Sequence, residues 1–174
     1  WENQYGDCKD KANLLCAMLR HKKVNACLAL LNTENKGLIE RRSPDYRQFT
    51  HAIAAVELKP GEYTFCDPTI TFGRPGLLSP SDTDRDVLLI RKPFAEWART
   101  PEQDAGTLHY DLDLQLGADG EISGWVTQHN EGYYGAAAAE EFSRLDKYAT
   151  RQHAAGFVRA FFKGAEVIDV TKTP

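Results

Sequence analysis

The chain has 174 residues, of which 42% are hydrophobic and 26% charged, a composition that supports a folded core and argues against disorder. Its net charge of -4 comes from 21 basic and 25 acidic residues that are interspersed, so no basic patch offers itself to nucleic acid or to an anionic membrane. No apolar run approaches the ~20 residues that span a bilayer, and no membrane insertion is expected of this stretch of chain.

From Asp7 to about His21, the residues Ala12, Leu14, Leu15, Ala17, Met18 and Leu19 recur at helical spacing and predict an amphipathic helix, with Asp7 as its N-cap. Residues 26–31 (ACLALL) predict a short buried strand, and residues 33–48 an exposed loop. Residues 50–58 alternate, with Ala52, Ala54 and Val56 on one side and His51, Ile53, Ala55 and Glu57 on the other. Pro60-Gly61 is a turn signal, residues 62–67 predict the next strand, and Pro68 ends it. Residues 72–84 are rich in Gly, Pro, Ser and Asp and predict a loop; residues 86–91 (DVLLIR) predict a fourth strand. One helix followed by four strands describes an antiparallel α+β unit over residues 1–91.

Residues 92–106 read as a linker into a second α+β unit over residues 92–174. There, residues 108–116 and 122–128 alternate around an Ala118-Asp119-Gly120 turn and predict a hairpin. Residues 133–162 are alanine-rich at helical spacing, with a break expected near Thr150 or Gly156, and the end (AEVIDVTKTP) predicts a last strand. No internal repeat is present.

Three residues carry chemistry. Cys8 stands at the predicted helix start, where unpaired N–H groups and the helix dipole favour thiolate, the nucleophilic form. Lys9 and Lys11 act in the same sense, and Asp10 in the first turn acts against it. His51 begins one strand and Asp67 ends the next. Reflection about Pro60-Gly61 brings these two to one end of the sheet, where the Cys8 helix must pack. A cysteine, a base and an acid that orients the base form the constellation of thiol nucleophilic catalysis, with the Cys8 N–H as an oxyanion donor. Cys16 and Cys27 read as buried small hydrophobes, and Cys66 as packed on the face opposite Asp67. No C-x-x-C pair calls for a structural metal, and no cofactor is expected. His21, His109, His129 and His153 show no partners at ligand spacing, and Trp97 and Trp125 read as core or linker anchors. Tyr133 and Tyr134, beside Gly132, read as helix-start packing residues rather than a cleft lining.

The blocks GDCKDKANLLCAMLR, FTHAIAAVEL and YTFCDPT, the last followed by FGRPGLL, resemble the bacterial branch of the transglutaminase-like superfamily of papain-like fold. The resemblance covers about residues 1–91. It implies that Cys8 is the nucleophile, His51 the base and Asp67 the orienting acid. It implies a cysteine-dependent acyl transfer to or from a protein or peptide-like amide through a thioester. Hydrolysis is favoured over crosslinking, because nothing in the chain suggests a dedicated amine site. A side chain upstream of the cysteine serves the oxyanion in such enzymes, which makes Gln4 and Trp1 candidates by residue type. Such cores commonly follow an N-terminal β-rich domain. The start at Trp1, close to the motif, accordingly reads as that of a fragment, and the resemblance tilts the location towards the bacterial periplasm or envelope. Residues 107–174 resemble the hairpin-plus-helices extension that often follows the core. The alternative is a binding or scaffolding module of a larger envelope protein.

Overall fold

The computed structural model describes residues 5–34, 37–43 and 45–172. Helix α1 spans Cys8–His21 and opens on a capping box. The Asp7 carboxylate accepts from the Lys9 and Asp10 N–H groups at 2.9 and 3.1 Å, and the Asp10 carboxylate accepts from the Asp7 N–H at 3.1 Å. The helix stops at Lys22, and Lys23 turns the chain with a positive φ of 62°.

Five antiparallel strands follow in one sheet: β1 (Asn25–Leu31), β2 (His51–Lys59), β3 (Glu62–Cys66), β4 (Asp86–Ile90) and β5 (Glu96–Arg99), in the spatial order β3-β2-β1-β4-β5. A 3-10 turn at Tyr46–Gln48 leads into β2. Strand β5 lies inside the stretch expected to be a linker. It forms the sheet edge beside β4, with Val87 opposite Ala98 and Leu88 opposite Trp97. The Trp97 ring packs on Phe49 at 6.4 Å between centroids and under the Arg41 guanidinium.

The core is a cluster on one face of the sheet: Cys27, Ala29 and Leu31 of β1, Ile53 and Ala55 of β2, Phe65 of β3, and Val87 and Leu89 of β4, closed by Leu78 from the loop before β4. Ala52, Ala54 and Val56 alternate with these residues on β2 and are buried too, so both faces of that strand are covered. Helix α1 packs on β1 and β2 with Ala12 and Cys16 fully buried. Small side chains on helix and strand let the two backbones approach closely.

A separate two-stranded hairpin, β6 (Leu108–Leu116) with β7 (Ile122–Asn130), precedes helices α2 (Gly132–Ser143) and α3 (Lys147–Phe161). The helix break falls at residues 144–146, not at Thr150 or Gly156, because Asp146 caps α3 by accepting from the Ala149 N–H at 2.7 Å. Gly156 lies within α3. Among the described residues, 165–172 form no strand, contrary to expectation. Lys172 there donates to the Phe142 carbonyl at 2.7 Å. Tyr110 of β6 stacks on Phe157 of α3, 4.8 Å between ring centroids. Trp125, expected as an anchor, is exposed. His109 and His129 sit directly opposite each other on the hairpin, and each is 3.0 Å from Asp111, so they have partners that the linear spacing did not reveal. The architecture is thus α+β, with three helices and an antiparallel sheet. No described helix is long and apolar enough to cross a membrane.

Candidate active site

Cys8 is the first residue of α1 and is partly buried. The cap consumes the N–H groups of Lys9 and Asp10, and the Cys8 N–H is not among those it uses. The Asp7 carboxyl is held below its usual range by the Asp10 N–H and by the Lys9 ammonium 3.1 Å away, so its charge is compensated locally.

His51 opens β2 opposite Leu31 of β1, and Asp67 follows the last residue of β3. The register pairs Ala54 with Cys66, which sets Asp67 diagonal to His51 on one side of the sheet. The outcome is a hydrogen bond of 3.1 Å between His51 Nε2 and Asp67 Oδ2. The other oxygen of Asp67, Oδ1, accepts from the Thr69 N–H at 2.8 Å and from the Thr69 hydroxyl at 2.7 Å. This Asx-type turn is the work of the Asp-Pro-Thr segment. It holds the carboxylate in the orientation in which its other oxygen meets the imidazole. The Cys8 side chain interacts with the same imidazole. Of the three residues expected to act together, His51 and Asp67 are therefore bonded directly, and Cys8 influences the same ring. Gln4 and Trp1 lie outside the described residues. Cys66 is partly exposed rather than fully packed, while Cys16 and Cys27 are buried. Burial pushes the Cys16 thiol up to about 11 and raises that of Cys27.

A fourth residue belongs to this group. Asp82, in the loop before β4, is 1% exposed. Its Oδ2 accepts from the Ser79 hydroxyl at 2.8 Å, its N–H donates to the Ser79 carbonyl at 2.9 Å, and its carbonyl accepts from the Thr100 hydroxyl at 2.6 Å. Thr100 is buried just beyond β5, so the unexpected edge strand anchors the loop that presents Asp82. An aspartate in a Ser-Pro-Ser-Asp loop reads as a solvated turn residue, and no local pattern distinguishes this one.

His51, Asp67 and Asp82 each place one nitrogen or oxygen within 4.8 Å of the others, and no other described set of three metal-ligating side chains lies so close together. The His51 nitrogen and the Asp67 oxygen are bonded to each other, so the group has the character of a proton-sharing chain rather than of a ligand set. Burial depresses the His51 pKa, but the hydrogen bond and charge of Asp67 outweigh it and lead the rise from 6.5 to about 9, to which the Cys8 side chain adds and a charge on Asp82 would add. Burial would raise Asp67; the His51 and Thr69 hydrogen bonds overcome that and hold it below its usual range. Asp82 goes the other way: burial raises it and the neighbouring Asp67 adds to that, against the Ser79 hydroxyl and the His51 charge.

A cavity of about 270 Å³ opens beside these residues. His51, Asp67 and Asp82 line it with the hydroxyl residues Thr33, Thr69, Ser79 and Ser81, and α2 contributes Tyr133, Ala137 and Glu140. Cys8 is not among the lining residues. Tyr133, expected to pack at the helix start, lines this cleft instead.

Comparison with protein-family models found no match, and neither the curated proteins nor the solved structures included a similar one. The function is therefore read from the site itself.

Proposed function

We propose that the protein is a cysteine-dependent acyl-transfer enzyme of transglutaminase-like type, acting on a peptide-like amide through a thioester and favouring hydrolysis. The observation that carries this reading is the convergence on one imidazole of the α1 first residue, Cys8, and a buried, turn-locked carboxylate, Asp67. Asp67 occupies Nε2, which leaves Nδ1 for the thiol. The Cys8 sulfur attacks the amide carbon, with its proton held on His51, and the carbonyl oxygen becomes an oxyanion facing the Cys8 N–H. His51 Nδ1–H gives its proton to the leaving amine as the C–N bond breaks, and a thioester remains. Water then attacks the thioester, His51 takes the water proton, and the thiol leaves. Asp67 keeps Nε2 protonated and the ring aligned throughout, without taking the proton itself.

Incubation of the protein with a peptide and amide library, followed by intact-mass analysis, tests the reading. Product formation and an acyl adduct on Cys8 are expected, with both lost in Cys8→Ala. Turnover or an adduct that survives Cys8→Ala places the nucleophile elsewhere and ends the reading. One observation favours a second reading, a binding module: the cavity is lined by His51 and Asp67 but not by Cys8. Saturable peptide binding that Cys8→Ala leaves unchanged, with no adduct and no product, would establish it.

A further inference from the structure

Asp82 Oδ1 is buried and has no hydrogen-bond partner among the described residues, which is rare for a carboxylate oxygen in a protein interior. Its neighbour is another buried carboxylate, Asp67. Two ionised carboxylates held together away from water repel each other strongly, and one of them keeps a proton instead. Asp67 is the one bound to be ionised, because His51 and both Thr69 donors require an acceptor. A carboxylate oxygen offers about two acceptor sites. Oδ1 of Asp67 is filled by the Thr69 N–H and hydroxyl, whereas Oδ2 holds His51 alone and has one site left. On Asp82, Oδ2 is taken by Ser79, so Oδ1 is the atom free to carry the proton.

We propose that Asp82 is a neutral carboxylic acid that donates its Oδ1 proton to Asp67 Oδ2, and so positions the Asp67–His51 pair as the fourth member of a Cys8–His51–Asp67–Asp82 chain. The proton stays on Asp82; no bond is exchanged during turnover. The donated hydrogen bond satisfies the orphan oxygen, fixes the Asp67 carboxylate against rotation, and disperses part of its charge. The groups facing Asp82 are His51 from β2, Asp67 at the end of β3 and Glu140 from α2 across the cavity. Cys8 of α1 influences the same ring, and the Arg85 guanidinium is tied to the Ser81 carbonyl at 2.9 Å. The direction of the Asp82 shift agrees with the neutral form.

The proposal rests on the proposed function for its meaning, but its test does not need turnover. The charge state is read by NMR titration of the His51 ring in wild type, Asp82→Asn and Asp82→Ala. An amide keeps the shape, accepts from Ser79 and donates to Asp67 as the neutral acid does. Expected is a His51 pKa in Asp82→Asn within about 0.5 unit of wild type, because no charge has been removed. A fall of about 1 unit or more would show that wild-type Asp82 is ionised, and overturns the proposal. Positioning is read by alkylation of Cys8 at neutral pH, followed by mass spectrometry. Asp82→Ala is expected to slow it about 10-fold, with Asp82→Asn restoring it to within about 3-fold of wild type. Equal slowing in both variants, or none in Asp82→Ala, would make Asp82 a packing residue only. Should the library experiment find no turnover, the titration still decides the charge of Asp82 by itself.

Discussion

His51 is the residue on which the site turns, since the Asp67 carboxylate holds its Nε2 and the Cys8 side chain influences the same ring. Its side chain is 16% exposed and that of Asp67 3%. Burial alone would have lowered its pKa; the value of about 9 means that the Asp67 partnership outweighs desolvation and that the ring is cationic at neutral pH. A basic group whose folded pKa lies above the unfolded one stabilises the fold fully below the unfolded value and loses that contribution as pH rises through the folded value. For His51 the window runs from 6.5 to about 9, and the amount at stake is on the order of 3 kcal/mol. Asp67 behaves oppositely: its contribution is present above 3.8 and is lost as pH falls through its lowered folded pKa. Urea unfolding between pH 6 and 9 should therefore show wild-type stability declining with pH, and a flatter line in Asp67→Asn, which lacks the charge that raises His51. A wild-type slope that Asp67→Asn leaves unchanged would show that the pair is not coupled in this way.

At the scale of elements, the tight seam between α1 and the sheet decides whether Cys8 arrives at His51. That seam is built from Ala12 and Cys16 on the helix, with Ala52 and Ala54 on β2, all at most 1% exposed. Ala54→Leu adds three carbons where none fit and is expected to cost about 1–3 kcal/mol, measured by denaturant midpoint, with Cys8 reactivity falling in parallel. A neutral outcome would mean that the seam has slack. The same elements show what the sequence makes legible. The α1 start was readable because Asp7 is a capping residue at the edge of an apolar period, and β2 and β3 because alternation and Pro60-Gly61 fix their register. The His51–Asp67 meeting followed from that register. Strand β5 was not readable: four residues, EWAR, between Pro93 and Pro101 carry too short a pattern, and only pairing with β4 makes them a strand. The α2–α3 break was misplaced because Gly156 weighed more heavily than the capping residue Asp146. In α3 a glycine is tolerated, whereas an N-cap starts the helix. Asp82 stayed hidden because its burial comes from Thr100 and Ser79, contacts that no local pattern encodes.

Across the whole molecule, the second half is joined to the site rather than merely appended to the first. Helix α2 enters through a backbone seam in which the Tyr133 N–H donates to the Ala105 carbonyl and the Glu131 N–H to the Thr107 carbonyl, both at 2.9 Å. Gly106 sits in that seam at a φ of +92°, where a Cβ would lie 2.2 Å from the Glu131 carbonyl oxygen, so no other residue fits. This close approach sets Tyr133 and Glu140 over the cavity beside His51, Asp67 and Asp82. The fold thus brings two strand ends, the loop before β4 and helix α2 to one cavity, with α1 packed on the same sheet, and we propose that Cys8 at its start is an activated thiol. The most direct test of that claim is the rate at which iodoacetamide alkylates each cysteine of the native protein from pH 5 to 10, located by peptide mass spectrometry, in wild type and His51→Ala. Cys8 is expected to react fastest at neutral pH, with buried Cys16 and Cys27 protected, and to slow at least about 10-fold at neutral pH in His51→Ala. A Cys8 rate that is ordinary for a free thiol, or one that His51→Ala leaves untouched, would contradict it.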